Sequence, residues 1–292
     1  MTLKLNSLLL VGVLAGFIAC ALFQNVAAQP QRGLEFEASQ PISQLPASSK
    51  RFALIIGIDS YSDRHFSPLT GSSNDARELR DALINYAGFP ADQVILLASN
   101  SAGAREPNRG VILQALSNLR GLIPQDGLLL LAYSGHGIER DGHAYLLPAD
   151  AVASRDVSLL EDTAISVDRL RSLITATKVG QVVMLLDACR NDPVAGRADA
   201  DNNLTKAYAS AFNFDLRNRE VKAFVTLYAT EIGHRAYEYT DKNQGYFSWV
   251  LIEGLKGKAA NERQEVTLGS LVRYVQEKVP FYVRRDLGEQ NE

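Results

Sequence analysis

The sequence predicts an α/β fold: a mainly parallel central sheet with helices on both faces. Short apolar runs of strand character alternate with longer segments of helical period, the pattern of strand and crossover helix. The runs are continuous rather than alternating, as strands covered on both faces require. Two of them pass without a break into a polar or reactive residue at their carboxyl end, where open parallel sheets gather their ligands.

The elements follow in order. Phe52 to Ile58 is the first buried strand, and Ser73 to Ala87 places Ala76, Leu79, Leu83 and Ile84 on one helical face. Asp92 to Ala98 is a second strand, Arg109 to Leu122 a second helix and Gly127 to Tyr133 a third strand. Val167 to Thr177 reads as a helix and Val182 to Leu186 as the fourth strand. Residues 190–220 lose the apolar period and form a long polar loop, a class of segment that is usually functional or disordered. Ala223 to Ala229 is the fifth strand, with helices around Tyr246 to Lys256 and Leu268 to Val283.

Ahead of this pattern, residues 1–28 carry Lys4, an apolar run from Leu8 to Phe23 and the small residues Val26-Ala27-Ala28, the layout of a secretory signal peptide cleaved after Ala28. The expected location is therefore the periplasm or cell exterior. The alternative is a retained anchor, since the run approaches the about 18 residues that span a bilayer, and the protein meets a membrane only in that case. Residues 29–49, rich in Gln, Ser and Pro, read as a flexible leader, and the folded domain is expected over residues 50–286.

The chain of 292 residues is 46% hydrophobic and 22% charged, ordinary for a globular protein with a full core. Thirty basic against thirty-three acidic residues leave a formal charge of -3, which provides no basic field for nucleic acid. Cleavage after Ala28 removes Cys20 and leaves Cys189 as the sole thiol. A lone thiol in an oxidising compartment is either a buried small residue or a sign of chemistry.

Two segments are the most informative: Leu129 to Gly137 (LLLAYSGHG) and Val183 to Arg190 (VMLLDACR). Each is a strand delivering one chemically useful side chain, His136 and Cys189, to the sheet's carboxyl end. A thiol needs one nearby base to become a nucleophile near neutral pH, and an imidazole can take that proton and return it. Gly135 and Gly137 permit close approach of a substrate, and the Gly137 and Cys189 amides are candidate oxyanion donors. A turn histidine and a buried cysteine are the bland alternatives for the two residues taken singly.

SGHG (Ser134 to Gly137) and DACR (Asp187 to Arg190), each closing an apolar strand, resemble the catalytic segments of caspase-like cysteine peptidases. RFALIIGIDSY (Arg51 to Tyr61) and SSNDARELRDAL (Ser72 to Leu83) resemble that family too, and the likeness runs to about Gly257. It implies a caspase-like three-layer sandwich, a His136/Cys189 dyad acting through a thioester acyl-enzyme, and no organic cofactor. The residue two before Cys189 is Asp187, which matches metacaspases and paracaspases rather than the Gln-Ala-Cys of animal caspases. Asp75 and Glu238 fall where paracaspases place the other acids of the first specificity pocket. Converging carboxylates favour a guanidinium or ammonium, so the expected partner is a protein or peptide substrate cut after Arg or Lys. Helix solvation of Asp75 and a surface place for Glu238 are the alternatives.

Arg190 stands where metacaspases carry a histidine after the catalytic cysteine, which puts calcium dependence in doubt; no spaced metal loop and no zinc motif is present, so no metal site is expected. The loop over 190–220 contains Arg197, Lys206, Arg217 and Arg219, which suit self-processing by a basic-specific enzyme as well as an uncut loop. The resemblance leaves monomer and homodimer open. A binding or scaffold module on the same fold is the competing function; a nucleotide binder is poorly supported, because Gly57-Ile58-Asp59-Ser60-Tyr61 is neither a dinucleotide-binding nor a phosphate-binding glycine turn.

Overall fold

The computed structural model describes residues 36–38, 45–100, 105–153, 157–189, 223–229 and 238–288. Ten strands are described: β1 (Phe36–Ala38), β2 (Arg51–Gly57), β3 (Val94–Ala98), β4 (Leu128–Arg140), β5 (His143–Leu146), β6 (Ile165–Ser166), β7 (Gln181–Cys189), β8 (Ala223–Tyr228), β9 (Glu238–Tyr239) and β10 (Gln244–Gly245). The α-helices are α1 (Ser72–Tyr86), α2 (Arg109–Leu119), α3 (Val157–Thr163), α4 (Val167–Thr177), α5 (Tyr246–Glu253) and α6 (Leu268–Leu287).

The main sheet runs β1-β8-β7-β4-β2-β3. β3, β2, β4, β7 and β8 are mutually parallel, and β1 closes the β8 edge antiparallel, Glu37 opposite Thr226. The parallel order follows from the crossover helices α1, α2 and α4, which return the chain to the same end of the sheet. Alternation along the strands then divides the core. Leu54 and Ile56 of β2, Leu129 and Leu131 of β4, and Val182, Met184 and Leu186 of β7 pack under α2 and α4. Ala53 and Ile55, Leu130 and Ala132, and Val183 and Leu185 pack under α1, α5 and α6. Both faces are buried, which is why these strands read as unbroken apolar runs.

The strands and helices expected from the apolar periods are all present, with shifted ends. Residues 91–93 form a 3-10 turn rather than the start of β3, because the chain there turns after Pro90. α5 gives way at Gly254 to a π-helical turn whose Gly257 has a φ of 115°. β4 extends well past Tyr133, to Arg140, and turns back through Asp141 and Gly142, both at positive φ, into β5. Six elements are absent from the sequence reading: α3, β5, β6, β9, β10 and β1. The last lies inside residues 29–49, read as a flexible leader; three residues held by pairing to an edge strand leave no apolar period to detect. Among the described residues no helix is long and apolar enough to cross a membrane. The signal segment and the loop over 190–220 lie outside the described residues.

Candidate active site

The parallel pairing of β4 with β7 runs from Leu128 opposite Gln181 to His136 opposite Cys189. The two reactive residues therefore occupy adjoining positions at the last rung, at the carboxyl end of the sheet. Beyond Ser134, β2 has ended and β5 takes over that side of β4. Donation from Ile58 N–H to Ser134 O and from Leu147 N–H to His136 O sets the alternation, so the Gly137 amide turns to the β7 side. Ala229 N–H donates to Leu186 O, which by the same alternation turns the Cys189 amide toward β4. The candidate oxyanion amides thus both turn into the β4–β7 seam, at its last paired rung.

His136 is buried, 4% exposed, and held from three sides by the loop that follows β2. The ring nitrogen Nε2 lies 2.7 Å from the Ser67 carbonyl oxygen. A carbonyl only accepts, so in the neutral imidazole Nε2 carries the proton and Nδ1 is the basic nitrogen. Tyr61 stacks on the imidazole at 4.9 Å between centroids and 25° between planes. Its hydroxyl accepts the His136 N–H at 2.7 Å. The Tyr133 hydroxyl lies 2.6 Å from His136 O, fixing the other end of the residue. Gly135 is required here, since a Cβ would meet the Tyr133 hydroxyl at 2.8 Å and that of Tyr61 at 3.2 Å.

On the same face as Val183 and Leu185, Asp187 continues β7 into a second cluster. Asp75, from the first turn of α1, is 4% exposed, and Asp187 is 9% exposed. The Gly245 N–H donates to both Asp75 carboxylate oxygens at 3.1 and 3.2 Å. Ser248 Oγ donates to Asp187 Oδ2 at 2.9 Å. Gly245 is wedged between the acids: a Cβ there would lie 2.7 Å from Asp187 Oδ2 and 3.4 Å from Asp75 Oδ2. Burial, and then the charge of Asp187, push the Asp75 carboxyl well above the ordinary aspartate value, since each disfavours a second anion.

Glu238 is opposite Gly245 in the short β9–β10 ladder, so backbone pairing brings its position beside the residue that touches both aspartates. The helix-solvation alternative for Asp75 fails on its burial. A cavity of about 20 Å³ lies against the pair, lined by Asp75, Ser134, Asp187 and Ser248 among others. That is room for about one water-sized group.

Sequence reasoning did not find Tyr61, Ser67, Gly245 or Ser248. Tyr61 lies in the segment Arg51 to Tyr61, and Gly245 with Ser248 opens a helix of continuous apolar character; no charge or spacing marks them. His65 and His143 are exposed and pair with Asp63 and Asp168 at 2.7 and 3.5 Å, away from the dyad positions. His234 lies outside the described residues.

A six-stranded order with five parallel strands, helices on both faces and a histidine and cysteine at adjoining strand ends define an α/β protein of the caspase fold. The family model described as the caspase domain matches residues 50–291, and the chain belongs to that family of peptidases. Metacaspase-6 of Arabidopsis thaliana is 25% identical over 223 residues, 73% of this chain and 54% of that protein. Metacaspase-1 of Saccharomyces cerevisiae is 31% identical over 117 residues, 39% of this chain and 26% of that protein. The chain spans about half the length, or less, of these curated relatives. Caspase-1 from Spodoptera frugiperda superposes with a TM-score of 0.52 at 16% identity, covering 83% of each chain. A Geobacter sulfurreducens protein gives 0.52 at 15% identity, covering 77% of this chain and 88% of that one. These two likenesses concern the fold, and they agree with the three-layer arrangement of the sheet and its helices.

Proposed function

We propose that the protein is a cysteine endopeptidase in which Cys189 is the nucleophile, His136 its base, and Asp75, Asp187 and Glu238 the acids that select Arg or Lys before the cut. The observation that carries this reading is the register of β4 and β7, which sets His136 opposite Cys189 at the end of the sheet.

With Nε2 committed to Ser67 O, Nδ1 of His136 takes the thiol proton. The thiolate attacks the scissile carbonyl carbon, and the oxygen that becomes negative takes hydrogen bonds from the Gly137 and Cys189 amides as the substrate parts the last rung of the seam. Collapse breaks the C–N bond, the imidazolium returns its proton to the leaving amine, and a thioester remains on Cys189. Water, deprotonated by the same imidazole, cleaves the thioester and restores the thiol. A guanidinium before the cut would sit on the Asp75 and Asp187 carboxylates, where burial strengthens charge-assisted hydrogen bonds.

The test is an assay of peptides differing only in Arg, Lys or Asp before the cut, with wild type beside Cys189→Ala and His136→Ala. Hydrolysis after Arg or Lys that vanishes in both variants is the expected result. Cleavage after Asp would overturn the pocket assignment and leave the dyad. An absence of turnover under reducing conditions, with and without calcium, would overturn the enzyme reading in favour of a scaffold module.

A further inference from the structure

Two aspartates side by side in a buried site have a difficulty that the specificity argument does not resolve. Like charges in low dielectric drive one carboxyl to keep its proton, and a pair with both carboxyls protonated attracts a cation little better than an amide would. Something must hold negative charge on the pair before a substrate arrives. The candidates are the hydrogen-bond donors that touch it, because a donor favours the ionised form of its acceptor.

Several such donors are described. Asp75 receives the Gly245 N–H, the Gln244 side chain and, at 3.5 Å, the Ser134 hydroxyl. Asp187 receives the Ser248 hydroxyl at 2.9 Å. Ser248 is itself 9% exposed and sits in the first turn of α5, three residues after Gly245, so one short segment supplies a donor to each acid. The pair is therefore asymmetric. Burial, and then the charge of Asp187, drive Asp75 to hold its proton, and Asp187 has a well-formed hydroxyl donor at hydrogen-bonding length.

We propose that Ser248 is the positioning residue that holds Asp187 as the anion of this pair, and so gives the pocket the charge by which it selects a guanidinium over a neutral side chain of the same shape. Ser248 donates to Asp187 and takes no part in the bond-breaking steps; it acts through Asp187. The inference rests on the basic-specificity reading above and adds a residue that neither the dyad nor the acids require.

The test uses the full chain and two fluorogenic peptides identical except for arginine or citrulline before the cut. Citrulline keeps the shape of arginine and removes its charge. Wild type is expected to prefer the arginine peptide. Ser248→Ala is expected to lower the arginine-to-citrulline ratio of kcat/KM by about tenfold or more, the worth of one hydrogen bond to a charged group. The loss should fall on KM for arginine and exceed the loss on citrulline, and Ser248→Thr, which keeps the hydroxyl, should restore the ratio. An unchanged ratio in Ser248→Ala would overturn the role assigned to Ser248, as would an equal loss on both peptides, which reports a packing defect. A wild-type enzyme indifferent to the exchange of arginine for citrulline would instead overturn the basic-specificity reading itself, before any variant is made.

Discussion

The Tyr61 hydroxyl accepts the backbone N–H of His136 at 2.7 Å while the Tyr61 ring stacks on the same residue's imidazole. One side chain thus fixes both the backbone and the ring plane of the proposed base. Phe66 meets Tyr61 edge-on at 5.5 Å and holds it in turn. Removing the hydroxyl leaves an amide without that acceptor, at a cost of about 1–3 kcal/mol; removing the ring frees the imidazole to turn. Tyr61→Phe is expected to lower kcat about tenfold and Tyr61→Leu about a hundredfold, with KM little changed, since orientation of the base counts in the transition state. Steady-state kinetics on one arginine peptide check both, and a KM effect without a kcat effect would argue against the positioning role.

Asp75 makes a prediction that separates stability from activity. Its folded-state carboxyl is raised, first by burial and then by Asp187, above the ordinary value of 3.8. As pH rises through 3.8 the unfolded chain releases this proton while the folded protein retains it, so stability falls until the pH passes the raised folded value, and the full penalty stands above that. Asp75→Asn removes the penalty and keeps an acceptor for the Gly245 amide. The variant is expected to melt higher than wild type at neutral pH and to match it well below pH 3.8, while losing about tenfold to a hundredfold in kcat/KM on arginine peptides. Thermal melts at the two pH values, beside the peptide assay, measure both halves. A variant that is less stable at neutral pH would contradict the assignment.

How far the sequence discloses this arrangement depends on which force places each residue. The five parallel strands are legible because burial on both faces writes an unbroken apolar run, and β4 and β7 end in the polar residues that stand at the sheet's edge. His136 and Cys189 can be read as facing candidates for that reason. The exact register, which makes them opposite one another, is set by strand pairing over nine positions and has no local signature. Asp75 shows the opposite case. By composition it is an acid in the first turn of a helix, and only the packing of α1 on β2 and β4 turns it inward. Gly245 and Ser248 act through one amide and one hydroxyl, groups that most segments possess. β1 is recruited by an open edge of β8, and nothing in Phe36 to Ala38 specifies it.

The approach of α1 to β2 can be tested where it is tightest. A Cβ on Gly57 would lie 2.2 Å from the Ser72 carbonyl oxygen and 2.7 Å from the Ala76 Cβ, so the first turn of α1 rests directly on the end of the strand. Asp75 belongs to that turn, and its reach to the Gly245 amide depends on this contact. Gly57→Ala must push the helix outward and is expected to cost about 1–3 kcal/mol in urea unfolding, with a loss of arginine preference as Asp75 withdraws from Asp187. Gly110, in α2, is the control. Nothing lies within 4 Å of a Cβ there, and alanine in a helix lowers the entropy of the unfolded chain, so Gly110→Ala is expected to gain about 0.4–1 kcal/mol with kinetics unchanged. If Gly57→Ala unfolds like wild type and keeps its preference, α1 can move without disturbing the acids. Asp75 would then be held by the Gly245 amide rather than by the packing of its own helix.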